Sequence, residues 1–578
     1  MNKIFFTLVL AVLFFDTAIL WAQADIKRLK KDVYTLAADS FLGRKPATKG
    51  DSLSEAYILN QIQAIKAKTL VDKGRHKVTF INSMEILPSN ALKICNNDMQ
   101  LKRDFVPALF SKSTTVEAKP FFVGYGLYSK KGDSLIYNHY ENQKVEGAWV
   151  VFLQGVPEGI KISKREQSDR TKVLNAKDLG ALGVLIVMKN QQLPEQTFDK
   201  VSSDAGLPVI YITRETFNLM FPHADSLIQL ANKKVFQPIV SNVNVKATTA
   251  LKPVYATSYN LVAMTEGSDA TLKNEYIVVG AHYDHLGMGG SGSGSRKPDT
   301  VAVHNGADDN ASGVAGVLEL IRLVENAKQK PQRSIVWVFF TAEEMGLLGS
   351  KEFVKNSPVE LSKIKAMINL DMIGRMNDSM PRLSISGTGT ADVFAHILDS
   401  LSQHLPFSLK QNPDGNGPSD HASFYGKNIP VLFLNSGIHT DYHTPMDDRE
   451  KINYPRMVQI VDFTEKLLYA IANYPTTMTF KETQSNQEQN SYRDTKITLG
   501  IIPDVAGTTE GLLVEGVKAG GYAEKAGLQK GDVIVSMDGK EIKNIYDYMA
   551  RLNQLEVGHV LQIEIVRNGK KELKQIQL

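Results

Sequence analysis

Tyr276-Ile-Val-Val-Gly-Ala281, followed by His282-Tyr-Asp284, is an apolar run that ends in ionisable residues. Apolar residues without alternation read as a strand covered on both faces, as in a parallel sheet. The pattern recurs downstream. Ser334-Ile-Val-Trp-Val-Phe-Phe340 leads into Thr341-Ala-Glu343-Glu344, and Ala366-Met-Ile-Asn-Leu370 leads into Asp371. Ile429-Pro-Val-Leu-Phe-Leu434 leads into a loop holding His439 and His443. Amphipathic segments separate these runs, so Tyr259 to about Tyr474 predicts an α/β sheet with crossover helices. Such sheets bind ligands outside the carboxyl ends of their strands. Four successive strands deliver ionisable groups to that edge.

Outward from this core, the 578 residues divide into several parts, since one core rarely exceeds about 250–300 residues. Residues 1–24 read as a signal peptide: a cationic start, an apolar run from Ile4 to Leu20, then Ala22-Gln23-Ala24 as the cleavage step. Residues 25–103 are expected to be the N-terminal helical part of the core, and 104–248 a strand-rich insert. Residues 249–475 form the core proper. Residues 476–495, rich in Thr, Gln, Asn, Ser and Glu, read as a linker, and 496–578 as a compact β-rich module. The expected product is extracytoplasmic, periplasmic or secreted, with no membrane span after signal removal.

Composition excludes several classes. The chain is 43% hydrophobic and 22% charged with a net charge of +4, an ordinary globular balance with no nucleic-acid footprint. The short basic run Lys161-Ile-Ser-Lys-Arg165 reads as a solvated loop. Cys95 is the single cysteine, so there is no intramolecular disulfide or thiolate cluster; it reads as a buried structural thiol. Any transition metal must therefore be held by nitrogen and carboxylate oxygen.

A His-x-Asp or a Glu-Glu pair alone is ordinary loop sequence. Asn305-Gly-Ala-Asp308-Asp309-Asn310-Ala-Ser-Gly313, at the start of an expected helix to Asn326, changes the balance, although Asp309 or Asn310 can serve as a cap. His282, Asp308, Glu344, Asp371 and His443 then supply two histidines and three carboxylates. That set suffices for two zinc ions sharing one bridging carboxylate.

Five segments carry a resemblance: Gly280-Ala-His-Tyr-Asp-His285, Gly306-Ala-Asp-Asp-Asn-Ala-Ser-Gly313, Thr341-Ala-Glu-Glu344, Asn369-Leu-Asp-Met372 and Tyr442-His-Thr-Pro445. In this order they resemble the zinc aminopeptidase superfamily, which includes carboxypeptidase Q, glutamate carboxypeptidase, glutaminyl cyclase and the transferrin receptor. The Gly43-Arg44 loop is similar to the family's N-terminal segment. The resemblance implies a mixed, mostly parallel sheet with helices on both faces and two Zn2+ per chain. It assigns His282 and Asp371 to one zinc, Glu344 and His443 to the other, and Asp308 to both. It makes Glu343 the general base, with Asp284 holding the His282 imidazole in its metal-binding tautomer. Tyr442 either polarises the scissile carbonyl or packs, and His439 competes with His443 or lies at the substrate rim. His285, His304 and His421 read as loop or supporting residues, Ser419-Asp420-His421-Ala-Ser-Phe424 as active-site wall, and Gly287–Ser295 as a flap.

Phe122-Val-Gly-Tyr-Gly126, Lys172–Val184 and Leu207-Pro-Val-Ile-Tyr211 resemble a protease-associated domain, implying a lid or screening wall. Ala523-Glu-Lys-Ala-Gly-Leu-Gln-Lys-Gly-Asp-Val-Ile534 resembles a PDZ domain of the bacterial protease type. Leu499-Gly500-Ile501 would then bind a peptide or protein C-terminus by strand addition. The activity implied is hydrolysis of short peptides by an aminopeptidase. Alternatives are a carboxypeptidase or dipeptidase, a one-zinc glutaminyl cyclase, and a non-catalytic peptide-binding protein. The complete ligand set counts against the last two.

Overall fold

The computed structural model describes the chain apart from residues 1–22, 132–133, 141–144, 158, 161, 163–166, 191, 197, 199–203, 233–235, 291, 484–496, 504–509, 518–519, 553 and 556–557. The expected signal segment, most of the basic run at 161–165 and most of the expected linker thus lie outside the described residues. No helix among those described is long and apolar enough to cross a membrane.

The core opens with α1 (Ile26–Leu36) and α2 (Lys49–Ile65), then β1 (Lys68–Thr69) and β2 (Arg75–Ile86). After a large insert come β3 (Leu251–Thr265), β4 (Tyr276–His282), α3 (Gly313–Asn326), β5 (Ser334–Phe340), β6 (Ile364–Leu370), β7 (Arg382–Ser386), β8 (Ser408–Asn412), β9 (Val431–Asn435) and α4 (Tyr454–Ala472). One nine-stranded sheet has the order β1-β3-β5-β4-β6-β9-β7-β8, with β2 also pairing β3. The strands β5, β4, β6 and β9 are mutually parallel, and β3 and β7 join them antiparallel. The sheet is therefore mixed with a parallel centre, as expected. Ile335, Trp337 and Phe339 of β5 point into the face covered by α1 to α4. Val336, Val338 and Phe340 face Phe353 and Phe424 on the other side. Burial on both faces explains why these strands are apolar without alternation.

The N-terminal helices are tied on by charge. Glu319 of α3 is fully buried and accepts from Arg28 Nε at 2.9 Å, Arg322 Nη1 at 3.2 Å and the Asp25 backbone at 2.8 Å. The expectation that 25–103 is helical fails beyond Ile65. The segment 75–86 has polar and apolar residues in alternation, and its strand partner, β3, lies across the insert. That pairing runs from Arg75↔Leu261 to Ile86↔Leu251 and continues as Leu87 N–H to Ala250 O at 3.1 Å. The insert therefore hangs on a two-strand neck and starts near residue 87, not 104. It contains a six-stranded sheet with a parallel centre, Pro120–Phe122, Trp149–Leu153, Gly183–Val187 and Val209–Ile212, and a four-stranded antiparallel sheet. Cys95 is exposed, at the end of the Ala91–Ile94 strand, and is not the buried thiol expected. Residues as far as Thr483 lie on the core rather than in a linker: Thr483 N–H donates to the Tyr425 hydroxyl at 2.9 Å.

Replacing Glu319 with Ala removes the carboxylate shared by Arg28, Arg322 and the Asp25 backbone, while Arg322 keeps Asp32 of α1 at 2.7 Å. Because Arg28 is partly in solvent and Arg322 stays paired, the cost should fall below that of a fully broken buried pair, at about 1–3 kcal/mol. Chemical denaturation of the peptidase core measures it; an unchanged midpoint would show that Glu319 does not hold α1.

Candidate active site

The carboxyl ends of β4, β5, β6 and β9 meet the turn that opens α3, and the predicted groups converge there. His282 Nε2 lies 3.3 Å from Asp309 Oδ1 and 3.4 Å from Asp371 Oδ1. His443 Nε2 lies 3.0 Å from Asp309 Oδ2 and 3.2 Å from Glu344 Oε2. The carboxylate between the two histidines is thus Asp309 and not Asp308. The two neighbours diverge. Asp308 Oδ1 accepts from Gly374 N–H at 2.6 Å and Ser312 Oγ at 3.0 Å, and its Oδ2 faces His439 Nε2 at 3.3 Å. Adjacent aspartates in a turn differ only by which way the backbone aims them, and Asp308-Asp309 carries no signal of that in its spacing.

Several contacts aim Asp309. Asp447 Oδ2 accepts from the backbone N–H groups of both Asp308 and Asp309 at 3.0 Å. Asn310 donates to Leu370 O at 2.9 Å, joining the turn to the end of β6. Gly313 permits this close approach, because a Cβ there would meet Leu370 O at 2.4 Å. Arg44 is buried and donates to the carbonyls of Tyr283 and Leu36 at 2.8 Å, Asn305 at 2.5 Å and Gly306 at 2.9 Å. It cross-links the loop after β4 to the loop before α3. Burial pulls its pKa down to about 10, still cationic at neutral pH.

Asp284 takes a different job from the one expected. Its Oδ1 is 3.8 Å from His282 Nδ1, whose nearer partner is the Asp284 carbonyl at 3.2 Å. The carboxylate instead accepts the backbone N–H groups of Glu343 at 3.0 Å and Glu344 at 3.4 Å, fixing both glutamates. Burial raises its pKa to about 8. Ala342, Met372 and His443 all have positive φ, at 54°, 59° and 55°. Such strain in non-glycine residues clusters where a side chain must be aimed.

Glu343 Oε2 stands 4.0 Å from His282 Nε2. Burial, with Glu344, Asp420 and Asp371 nearby, raises its pKa well above the carboxylate range, against the pull of His282. Glu344 goes the other way, to about 2: burial and Asp309 push it up, but His443 and His285 outweigh them. His285 Nδ1 is 2.8 Å from Glu344 Oε1 but 3.8 Å from Asp309 Oδ2, so it holds Glu344. A grouping of His285 with Asp309 and Glu344 as a metal site is also sterically open. His443 is nearly equidistant from the same two carboxylates, at 3.0 and 3.2 Å, whereas His285 is close to Glu344 alone. His439 faces Asp308 and, at 3.9 Å, Asp447, an inner polar cluster behind Asp309. Tyr442 stacks on His443, ring centroids 3.9 Å apart, and burial and the surrounding carboxylates raise its phenol pKa. The end of the glycine-rich segment packs against His443: Gly294 O lies 3.3 Å from His443 Nδ1, Arg296 N–H donates to His443 O at 2.9 Å, and Ser295 Oγ meets His304 Nε2 at 2.8 Å. Asp420 is buried nearby and His421 stacks on Phe433.

The donor set fits zinc. Tetrahedral coordination with arms of about 2.0–2.1 Å has edges near 3.3–3.4 Å, matching the two contacts of His282. Asp371 Oδ1 is buried and makes no hydrogen bond among the described residues. Beside the cluster lies a cavity of about 290 Å³ lined by Lys45, Leu286, Glu344 and Met345 of the core and Gln196 and Phe198 of the insert.

In the C-terminal module, Leu499 is fully buried in its core, and the Gly500 and Ile501 backbone begins the strand Ile501–Pro503. Any carboxylate-binding role of this loop rests on its backbone.

A family model described as peptidase family M28 matches residues 260–468, and one described as PDZ domain matches residues 487–578. Aminopeptidase YwaD of Bacillus subtilis (strain 168) is 26% identical over 58% of this chain and 67% of its own length. The uncharacterized protein YfbL of Escherichia coli (strain K12) is 30% identical over 45% of this chain and 85% of its own. Another relative is matched over only 36% of its length. The solved structure of BSAP, a zinc aminopeptidase from Bacillus subtilis, covers 79% of this chain and 98% of its own at 20% identity, with a TM-score of 0.46. With its sheet-edge cluster in the matched region, the chain belongs to peptidase family M28 and carries a PDZ domain after the peptidase part.

Proposed function

We propose that this zinc-dependent peptidase is an exported, two-zinc aminopeptidase that removes the terminal residue of short peptides. The observation that carries the reading is the Asp309 carboxylate, with one oxygen against His282 and the other against His443. His282, Asp371 and Asp309 would hold one zinc, and His443, Glu344 and Asp309 the other. Zinc held there would polarise the scissile carbonyl and lower the pKa of water from ~15.7 to ~7, worth on the order of 12 kcal/mol at 1.36 kcal/mol per unit.

The chain's own residues do the rest. Glu343, on the cleft side of His282, takes a proton from the attacking water and returns it to the leaving amine. Asp284 keeps Glu343 at that distance by holding its backbone. The glycine-rich flap, anchored to His443 O by Arg296, and the insert's Phe198 limit the water around the cavity. The restricted cavity supports short substrates, and the name of YwaD supports cleavage at the amino end. A second reading has one observation in its favour. Lys45 lines the cavity and would pair with a free carboxylate, which fits a dipeptidase or carboxypeptidase. The export rests on the N-terminal sequence alone.

Glu343→Gln should retain two zinc equivalents while kcat falls about 10²–10⁴-fold; metal analysis beside steady-state kinetics reads both, and normal turnover removes Glu343 from its role. Asp309→Asn should lose bound zinc, whereas Asp308→Asn should keep both equivalents. Chelator titration distinguishes them, and the reverse result would return the bridge to Asp308. Peptides blocked at the amino end should resist hydrolysis and those blocked at the carboxyl end should not, with all cleavage abolished by chelator. Cleavage of the amino-blocked set would establish the Lys45 reading instead.

A further inference from the structure

The insert meets the peptidase core through two strands, and a body on so narrow a neck swings unless something else holds it. The PDZ domain lies against it. On the PDZ side, the helix Ile545–Leu552 has two faces. Tyr548 and Leu552 are buried in the domain's own core. Asp547 and Arg551, one turn apart, are almost wholly buried although charged, and they face the insert. Arg551 grips Asp178 with both terminal nitrogens, Nη2 to Oδ1 at 2.7 Å. Lys540 Nζ reaches the same carboxylate at 3.3 Å. Asp547 lies 3.8 Å from Arg170. Two further pairs flank these: Lys177 with Glu541 at 2.8 Å, and Lys543 with Asp204 at 3.0 Å.

The charges are complementary in both directions. The insert offers Asp178 and Asp204 to Lys540, Arg551 and Lys543, and Arg170 and Lys177 to Asp547 and Glu541. Exposed pairs such as Lys543–Asp204 hold little by themselves. A bidentate, nearly dry Arg551–Asp178 pair is geometrically specific and costly to break on one side.

The PDZ domain also touches the core. Lys530 Nζ donates to Asn428 Oδ1 at 3.1 Å and lies over the Tyr425 ring at 5.9 Å. Tyr425 is the residue on which Thr483 is anchored, and Phe480 packs against its ring. The domain is therefore connected to the core by chain and contact, and to the insert by charge.

We propose that the PDZ domain is an intramolecular brace: it docks through the charged face of Ile545–Leu552 on the insert helix Asp169–Asp178 and fixes the insert relative to the core. The partner of this surface is the insert of the same chain. Gln196 and Phe198 of the insert wall the cavity beside Glu344. The brace thus sets the width of the catalytic mouth from a domain with no residue in it.

Zero-length carbodiimide coupling of the full-length chain, followed by peptide mass spectrometry, tests the docking. Lys177–Glu541 and Lys543–Asp204 should be joined within one chain at high yield. The double variant Lys540→Glu with Arg551→Glu should cut both yields at least tenfold, because two carboxylates then face Asp178. Adding Asp178→Arg reverses every sign at that point and should restore them. This rescue separates lost docking from a misfolded PDZ domain. Absence of the links in the unmodified chain, full yields in the double variant, or no recovery in the triple variant would each overturn the brace. None of these readouts depends on zinc or turnover.

Discussion

One carboxylate has to face two ways. Asp309 presents separate oxygens to His282 and His443, which come from opposite ends of the motif series, and every other feature of the site follows from keeping it there. A free aspartate would rotate among staggered wells. Here its backbone is held by Asp447, its turn is anchored to β6 by Asn310, and the flanking carbonyls are gathered by Arg44. These supports come from the N-terminal segment, the α3 turn and the loop before α4. The site is assembled across the chain.

The second constraint is charge. Buried Asp309 and Asp371 share a small volume with the partly buried Glu343 and Glu344, and buried Asp308, Asp284 and Asp420 lie close by. Burying so many carboxylates together costs heavily unless cations offset them. The protein answers in two ways. Burial raises the pKa of Asp420 to about 7 and that of Asp284 to about 8, so these acids carry less charge. His282 and His443 are pulled upward by the carboxylates they face, against the effect of their own burial; His443 reaches about 11. A cluster so dependent on added positive charge is suited to divalent cations, and the histidines that balance it alone are the groups that would release protons to admit them.

How much of this was legible in sequence depended on the scale of the signal. The four strands were plain because double-sided burial suppresses alternation, and their ends mark the site by topology alone. His282, Glu344, Asp371 and His443 were therefore found, and all meet. Asp309 was not, because which of two adjacent aspartates faces the cluster is decided by backbone torsions in a turn whose supports lie from 60 to 262 residues away in sequence. Asp284 failed for a related reason. An i, i+2 spacing puts it near His282, but the backbone amides of Glu343 and Glu344 compete for the same oxygens and win on distance. The neck was hidden because β2 has its partner, β3, across the whole insert. Arg44 could be seen only as a family-like loop; that one guanidinium would collect carbonyls from several loops is a tertiary fact.

The arrangement also explains why the insert belongs in this chain at all. An edge-of-sheet site is open on the side away from the sheet, and an open site admits any loop of a protein that can reach it. Here the opening is divided between core residues such as Lys45 and Met345 and insert residues Gln196 and Phe198. A wall carried on a two-strand neck narrows the approach to chain ends only if it stays in place. On the proposed function, selectivity for short peptides would be a property of how three domains are held together, as much as of any residue in the pocket.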